Sequence, residues 1–152
     1  MLAQVLATIA LIAGGTFLSY WMRRVDMAGF ELWLPFGLLI AVAVSPIAGF
    51  LFAVSILVAS WFLFPFQLQG VAVIVGCLAV TFFISTLFTF TAATFVVNAM
   101  MLIVLYNIVS NILAFFVGIS PLRIVKFILL STWLSWLVYS RYGWELVEFF
   151  AA

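Results

Sequence analysis

Two groups of uncharged polar residues could do chemistry in a chain that is otherwise almost entirely apolar. The first has hydroxyl side chains at four-residue spacing: Thr81, Ser85 and Thr89. The second combines two amides with a hydroxyl at helical spacing: Asn107, Ser110 and Asn111. Each group would share one helix face. It could line a cavity or pore for a neutral solute, or join helices by interhelical hydrogen bonds of about 0.6 kcal/mol each.

Ionisable residues are scarce, and this limits the chemistry that we predict. Residues 32–122 contain no Asp, Glu, Lys or Arg, and the chain has no His. The acids lie outside that run, at the expected ends of the helices: Asp26, Glu31, Glu145 and Glu148. Without a buried carboxylate or imidazole, proton-coupled transport and catalysis within the membrane are not expected, because such proteins rely on intramembrane ionisable groups. We therefore predict a protein that is not an enzyme and has no catalytic residues.

Cofactor and metal sites are not predicted either. Cys77 is the single cysteine, so Cys/His zinc spacing and an internal disulfide are both excluded. Haem held by imidazole is excluded because the chain has no His. The formal net charge of +1 argues against a nucleic-acid partner, because binding to phosphates requires clustered Lys and Arg.

The composition identifies the class of protein. The chain is 70% hydrophobic and 6% charged, whereas soluble domains are about half apolar and a quarter charged. We predict an all-α, polytopic integral membrane bundle that forms a single domain over residues 1–152. A prokaryotic plasma membrane or an organelle inner membrane is the expected location, with membrane lipids as partners.

Six helices are expected, although four membrane passes are the alternative. Residues 2–22 form the first pass, and residues 23–31 form a polar loop. Residues 32–64 are too long for one pass and contain Ser45-Pro46, which predicts a short helix, a tight turn and a second helix. If residues 32–64 instead formed one kinked helix or a re-entrant hairpin, four passes would result.

The second half of the chain is divided in the same way. Residues 65–70 read as a loop, and residues 71–118 must hold two passes that meet at residues 89–94 or, as the competing site, at Asn98. Gly118 and Pro121 end the fifth helix. The last pass covers residues 122–140, followed by a tail, residues 141–150, that is predicted to lie along the membrane interface.

Small residues recur every four positions between the second and third helices. They are Ala41, Ser45, Gly49 and Ala53. Such a ridge lets helices approach closely. Because Pro46 interrupts it, we expect two short faces that pack together within a hairpin, with a homodimer face as the alternative.

Basic residues indicate the orientation and one kind of partner. With six passes, the loop bearing Arg23 and Arg24 and the loop bearing Arg123 and Lys126 fall on the same side, which the positive-inside rule makes cytoplasmic. Both termini would then lie outside, and Arg141 disagrees. The same four basic residues could dock a soluble partner or anionic headgroups, or could serve only to set the topology. Asp26 and Glu31 are close enough in sequence to pair with the double arginine.

One region resembles a known family. The run LPFGLLIAVAVSPIAGF at residues 34–50, followed by a long apolar helix and a Gly-bearing loop, resembles the second and third helices of MreD, the small polytopic subunit of the bacterial cell-elongation complex. MreD is similar in shape to the S components of energy-coupling-factor transporters, which also pack about six helices into a short chain. The sequence has Ser60-Trp61 where these families usually have an acidic residue. Their cytoplasmic N-terminus also differs from the charge-based orientation, and no binding residue is carried over.

These observations favour one function and leave a second open. The first is a non-catalytic membrane subunit or scaffold of a larger complex, with other membrane-protein subunits as partners. The second is a small-solute transport or substrate-binding component, similar to an S component. Its neutral polar cavity would be lined by the two sets of polar residues, the one from Thr81 to Thr89 and the one from Asn107 to Asn111.

Overall fold

The protein folds into an all-helical bundle. The computed structural model describes residues 2–25, 27, 29, 31–63 and 68–152, and within them the chain forms six helices. They are α1 (Leu2–Arg24), α2 (Trp33–Ala43), α3 (Pro46–Leu63), α4 (Leu68–Ser85), α5 (Phe95–Phe116) and α6 (Pro121–Ala151). The all-α prediction with six helices is confirmed.

Four of the helices are long and apolar enough to cross a bilayer, namely α1, α3, α5 and α6, whereas α2 and α4 are shorter. This is the architecture of a multi-pass membrane protein. The 11 residues of α2 rise only about 16 Å, roughly half of a hydrocarbon core. The predicted short second helix is therefore present, while its status as a full membrane pass stays a prediction.

A tight helical hairpin joins α2 and α3. The turn at Val44 and Ser45 lies between them, and Pro46 begins α3, where its missing N–H has no cost. A Cβ on Gly49 would lie 2.3 Å from the Gly37 carbonyl oxygen and 2.6 Å from the Ala41 Cβ. The two helices are thus antiparallel and in backbone contact, so Ala41 and Gly49 pack within one chain.

The six helices alternate in direction along the chain. Asn107 on α5 donates a hydrogen bond to Thr132 on α6, and the ring of Phe95 at the start of α5 packs edge to face with that of Tyr139, further along α6. Gln4, near the start of α1, donates to the carbonyl oxygen of Phe149 near the end of α6. The C-terminal ends of α1, α3 and α5 therefore lie with the N-terminal ends of α4 and α6, at what we call the basic end of the bundle.

Two sequence-based boundaries need correction. The tail at residues 141–150 is not a separate interfacial segment, because α6 continues through it to Ala151. Gly143 lies within this helix, and the ring of Phe95 packs where a side chain would be, with Phe95 Cε1 2.5 Å from the position of a Cβ. The predicted loop at residues 65–70 ends earlier than expected, because α4 begins at Leu68; residues 65–67 lie outside the described part of the chain.

The break between α4 and α5 is where the threonines predicted it. Residues 86–94 are not helical, and Asn98, the competing position, lies within α5. The Thr94 hydroxyl and the Asn98 amide both donate to the Thr89 carbonyl oxygen, at 3.0 and 2.9 Å. These local bonds give the backbone an alternative to the helix ladder.

Candidate functional site

A cavity of about 410 Å³ lies at the basic end of the bundle. Its walls come from the end of α1, the start of α4, the second half of α5 and the start of α6. The shortness of α2 explains its position. Trp33, the first residue of α2, contacts Tyr106 at the middle of α5, so α2 does not fill the space between that level and the basic end. Ser120 and Arg123 are both exposed and line the cavity, which therefore reaches the surface.

A buried ion pair forms part of the cavity wall. Arg23 Nε donates to Glu31 Oε1 at 3.0 Å, and the two side chains are 7% and 6% exposed. Trp33 Nε1 donates to the second carboxylate oxygen of Glu31. Both oxygens of the acid are thus engaged by donors that come from α1 and α2.

Tyr106 lines the cavity beside this pair. Its side chain is 1% exposed, and its ring lies edge-on against Trp33 with centroids 5.6 Å apart. Its hydroxyl makes only a poorly aligned hydrogen bond with the side chain of Ser110, one turn further along α5. A buried hydroxyl whose hydrogen bonding is incomplete is costly, so this oxygen is a candidate for contact with a bound molecule.

The structure separates the three residues of the predicted polar cluster on α5. Ser110 and Asn111 line the cavity, whereas Asn107 faces α6. The Asn107 side-chain nitrogen Nδ2 donates to Thr132 Oγ1 at 3.0 Å, and the Ser131 hydroxyl donates to the side-chain oxygen Oδ1 of Asn107 at 3.3 Å. These bonds join α5 to α6, as polar side chains do in membrane bundles.

Asn111 stabilises α5 from within as well. Its amide nitrogen donates to the Asn107 backbone carbonyl oxygen at 2.7 Å. Asn111 is 7% exposed, and its side chain sits between the α5–α6 contact and the cavity.

The predicted cluster of hydroxyl side chains, Thr81, Ser85 and Thr89, does not line this cavity. Thr81 donates to the Cys77 carbonyl oxygen and Ser85 to the Phe82 carbonyl oxygen, both within α4. Thr89 lies beyond the end of α4 and is exposed, so the expected three-residue helix face ends at Ser85. The cavity wall includes none of the three residues.

The predicted docking residues separate in a similar way. Arg23 is buried with Glu31, whereas Arg24, Arg123 and Lys126 are exposed at the basic end. The guanidinium of Arg24 lies over the ring of Tyr20, 5.2 Å from its centroid. Pairing of Glu31 with the double arginine is therefore present for Arg23, and Asp26 lies outside the described residues.

Sequence reasoning missed Tyr106 and the burial of Glu31. Tyr106 precedes Asn107 and is four residues from Ser110, so a second i, i+4 pair runs beside the pair formed by Asn107 and Asn111. That spacing was the available signal. No sequence signal could show that the loop before α2 carries Glu31 inward, because this depends on where α2 begins.

Neither metal ligands nor a resident cofactor can be assigned to this cavity. In the described ranges, no three His, Cys, Asp or Glu side chains come together in a way that could hold a metal ion. What the cavity can do chemically is bind, by charge-assisted and hydroxyl hydrogen bonds from its polar side and by apolar contact from the rest of its wall.

Comparison with protein-family models, with curated proteins and with solved structures finds no match to this chain.

Proposed function

We propose that the protein is a membrane-embedded component that binds a small solute in the cavity at its basic end, as part of transport or substrate capture. The observation that carries this proposal is a space of about 410 Å³ inside a membrane-spanning bundle, beside a buried Arg–Glu pair and a buried tyrosine hydroxyl. Ligand sites are typically cavities of about 300–1,000 Å³ with a few polar groups in an apolar wall. Ionisable residues within a membrane protein are expensive to bury and generally mark a function.

The test is to ask whether a small molecule leaves the membrane with the protein. The protein is purified from native membranes in mild detergent and denatured, and the released small molecules are identified by mass spectrometry. Ala114→Phe fills the cavity from α5, and Val117→Trp narrows it near the surface. Ala79→Phe, at an exposed position of α4, is the matched control.

The expected result is one species in near-stoichiometric yield with the wild type and with Ala79→Phe, and its loss from both cavity variants. A monodisperse elution profile and an unchanged helical circular dichroism spectrum establish that each variant is folded. A wild-type protein that releases nothing above the level of the cavity variants contradicts the proposal.

The second candidate is the non-catalytic subunit of a larger membrane complex. It is favoured by the exposed basic side chains of Arg24, Arg123 and Lys126 at one end of the bundle, which could dock an acidic surface or anionic headgroups. In the same purification, a stoichiometric protein partner that is lost when Arg24 and Lys126 are both replaced by Gln would support this candidate. The resemblance to MreD and S components, the prokaryotic or organellar membrane and the absence of catalysis all stay predictions.

A further inference from the structure

The first turn of α6 presents unused hydrogen-bond donors to the cavity. Ser120 is the N-cap residue, but its side chain makes no capping bond, and Pro121 follows it. The first intrahelical bond runs from the Ile124 nitrogen to the Ser120 carbonyl oxygen at 3.1 Å, so the N–H groups of Leu122 and Arg123 have no acceptor within the helix. The positive end of the α6 dipole lies at the same place and favours a negative charge.

The neighbouring end of α5 presents no comparable set of free acceptors. Gly118 has a φ of 89°, which lets the chain curl back over the last turn. Val117, Gly118 and Ile119 donate their N–H groups to the carbonyl oxygens of Leu113, Phe115 and Ala114, respectively, in a Schellman-type ending. The local backbone therefore offers donors from α6, while the carbonyl oxygens of Leu113, Ala114 and Phe115 at the end of α5 already accept hydrogen bonds.

The charged side chains among the described lining residues also favour an anion. Arg23 and Glu31 form an ion pair and cancel. Arg123 adds a further positive charge near the surface, where it remains exposed. An anionic group near Arg123 would receive charge-assisted hydrogen bonds, which are stronger than bonds between neutral groups.

The interior of the cavity is suited to an apolar part of a ligand. Most of its wall is apolar, with side chains from three helices: Val73, Ile74, Ala114, Val117, Ile124 and Phe127. Tyr106 lies 11 residues before Val117, the residue that follows α5, so its level is about 16 Å from the first turn of α6. Its hydroxyl, beside Ser110, is a polar group at that depth.

We propose that the cavity binds an amphipathic anion, with a carboxylate or phosphate group at Arg123 and the first turn of α6 and an apolar body that extends toward Tyr106. This inference rests on the proposed function and specifies the class of its ligand. The anion belongs either to a soluble molecule or to a lipid headgroup.

The test compares an anion with its neutral isostere. Binding of 1-naphthaleneacetate and of 1-naphthaleneacetamide is measured by isothermal titration calorimetry on the full chain in phosphatidylcholine nanodiscs, with empty nanodiscs subtracted. The wild type is expected to bind the acetate about tenfold more tightly than the amide, because one charged hydrogen bond is gained. The preference should weaken with added salt, since Arg123 is exposed.

Three variants locate the contacts. Arg123→Gln should remove the preference for the acetate, whereas Arg141→Gln, an exposed arginine at the other end of α6, should keep it. Tyr106→Phe should leave both affinities unchanged, because the naphthyl ring offers no acceptor and the hydroxyl lies about 16 Å from the anionic group. Equal affinity of the wild type for acetate and amide would overturn the proposal, as would the same preference in Arg123→Gln and Arg141→Gln.

Phosphatidylglycerol nanodiscs distinguish the two sources of the anion. A headgroup that occupies the cavity should displace the neutral amide from the wild type, which surface charge alone would not do. Unchanged binding of the amide identifies a soluble anion as the ligand. If phosphatidylglycerol is itself the ligand, it should raise the thermal stability of the wild type but not of Arg123→Gln. The anionic class is wrong if phosphatidylglycerol has no such effect and neither probe binds the wild type. The proposed function would still stand where Ala114→Phe loses a co-purifying neutral molecule.

Discussion

At the scale of single residues, Glu31 is the side chain on which the cavity wall depends most. Its carboxylate is 6% exposed and accepts hydrogen bonds from both Arg23 and Trp33. Removal of one member of a buried ion pair leaves the other charge without compensation, which generally costs more than the pair itself contributes. The pair also joins α1 to the start of α2, since its two members belong to these segments.

We predict that Glu31→Gln lowers the free energy of unfolding by about 3 kcal/mol, because the Arg23 guanidinium is left buried beside a neutral amide. The measurement is unfolding in detergent micelles by titration with a denaturing detergent. Glu145→Gln, an exposed acid on α6, should leave stability unchanged.

The double variant Arg23→Gln with Glu31→Gln tests the cause of this loss. It should be more stable than Glu31→Gln alone, because no uncompensated charge remains in the protein. A double variant that is less stable than Glu31→Gln would mean that the arginine stabilises the fold by packing rather than by charge.

At the scale of secondary-structure elements, the hairpin of α2 and α3 depends on glycine. Gly37 and Gly49 bring the two helices so close that a Cβ at Gly49 would overlap backbone atoms of α2. The benefit is tight packing in a helix of only 11 residues, whose large buried side chains include Trp33, Leu34 and Leu38. This packing holds α2 in place although α2 is shorter than the other helices of the bundle.

We predict that Gly49→Ala destabilises the protein by about 1–3 kcal/mol, because backbone must move to admit one methyl group. Gly76→Ala is the matched control. Gly76 is also a helical glycine, nothing lies within 4 Å of its added Cβ, and its replacement should be neutral or stabilising by up to about 1 kcal/mol. The same unfolding titration measures both; equal effects of the two substitutions would show that α2 and α3 are not in backbone contact.

At the scale of the whole molecule, the alternation of six helices places the basic residues together. Arg24 lies at the end of α1, and Arg123 and Lys126 lie in the first turns of α6, all at the same end of the bundle. The positive-inside rule assigns that end to the cytoplasm. The cavity, which is open beside Arg123, would then face the cytoplasm as well.

Single cysteines in a Cys77→Ala background test this arrangement. We predict that Arg24→Cys and Ser120→Cys react with an impermeant maleimide only after the membrane is permeabilised, whereas Gln4→Cys and Ala92→Cys react in intact cells. Arg24 and Ser120 lie at the basic end, and Gln4 and Ala92 lie at the opposite end. Reaction of Arg24→Cys and Ser120→Cys on different sides would contradict the alternation, and reaction of both in intact cells would reverse only the orientation.

Much of the fold could be predicted because it follows from local and compositional physics. An uncharged run over residues 32–122 indicates a membrane protein, and Ser45-Pro46 disfavours one straight helix. The threonines near residue 91 offer the backbone competing hydrogen bonds. The end of α6 could not be predicted in this way. The role of Gly143 within it is to admit the ring of a phenylalanine 48 positions earlier in the chain, a contact that local sequence does not reveal.

The sequence by itself determined that this is a helical membrane protein with six helices, and it pointed to Ser110 and Asn111. Only the tertiary structure decided that these residues share a cavity with Tyr106 and a buried Arg23–Glu31 pair, while Asn107 turns to α6. The physical reason is the separation between the contributing segments. Helix periodicity reports which residues share one face, but the wall of this cavity comes from four helices, and its space exists because α2 begins at the level of Tyr106.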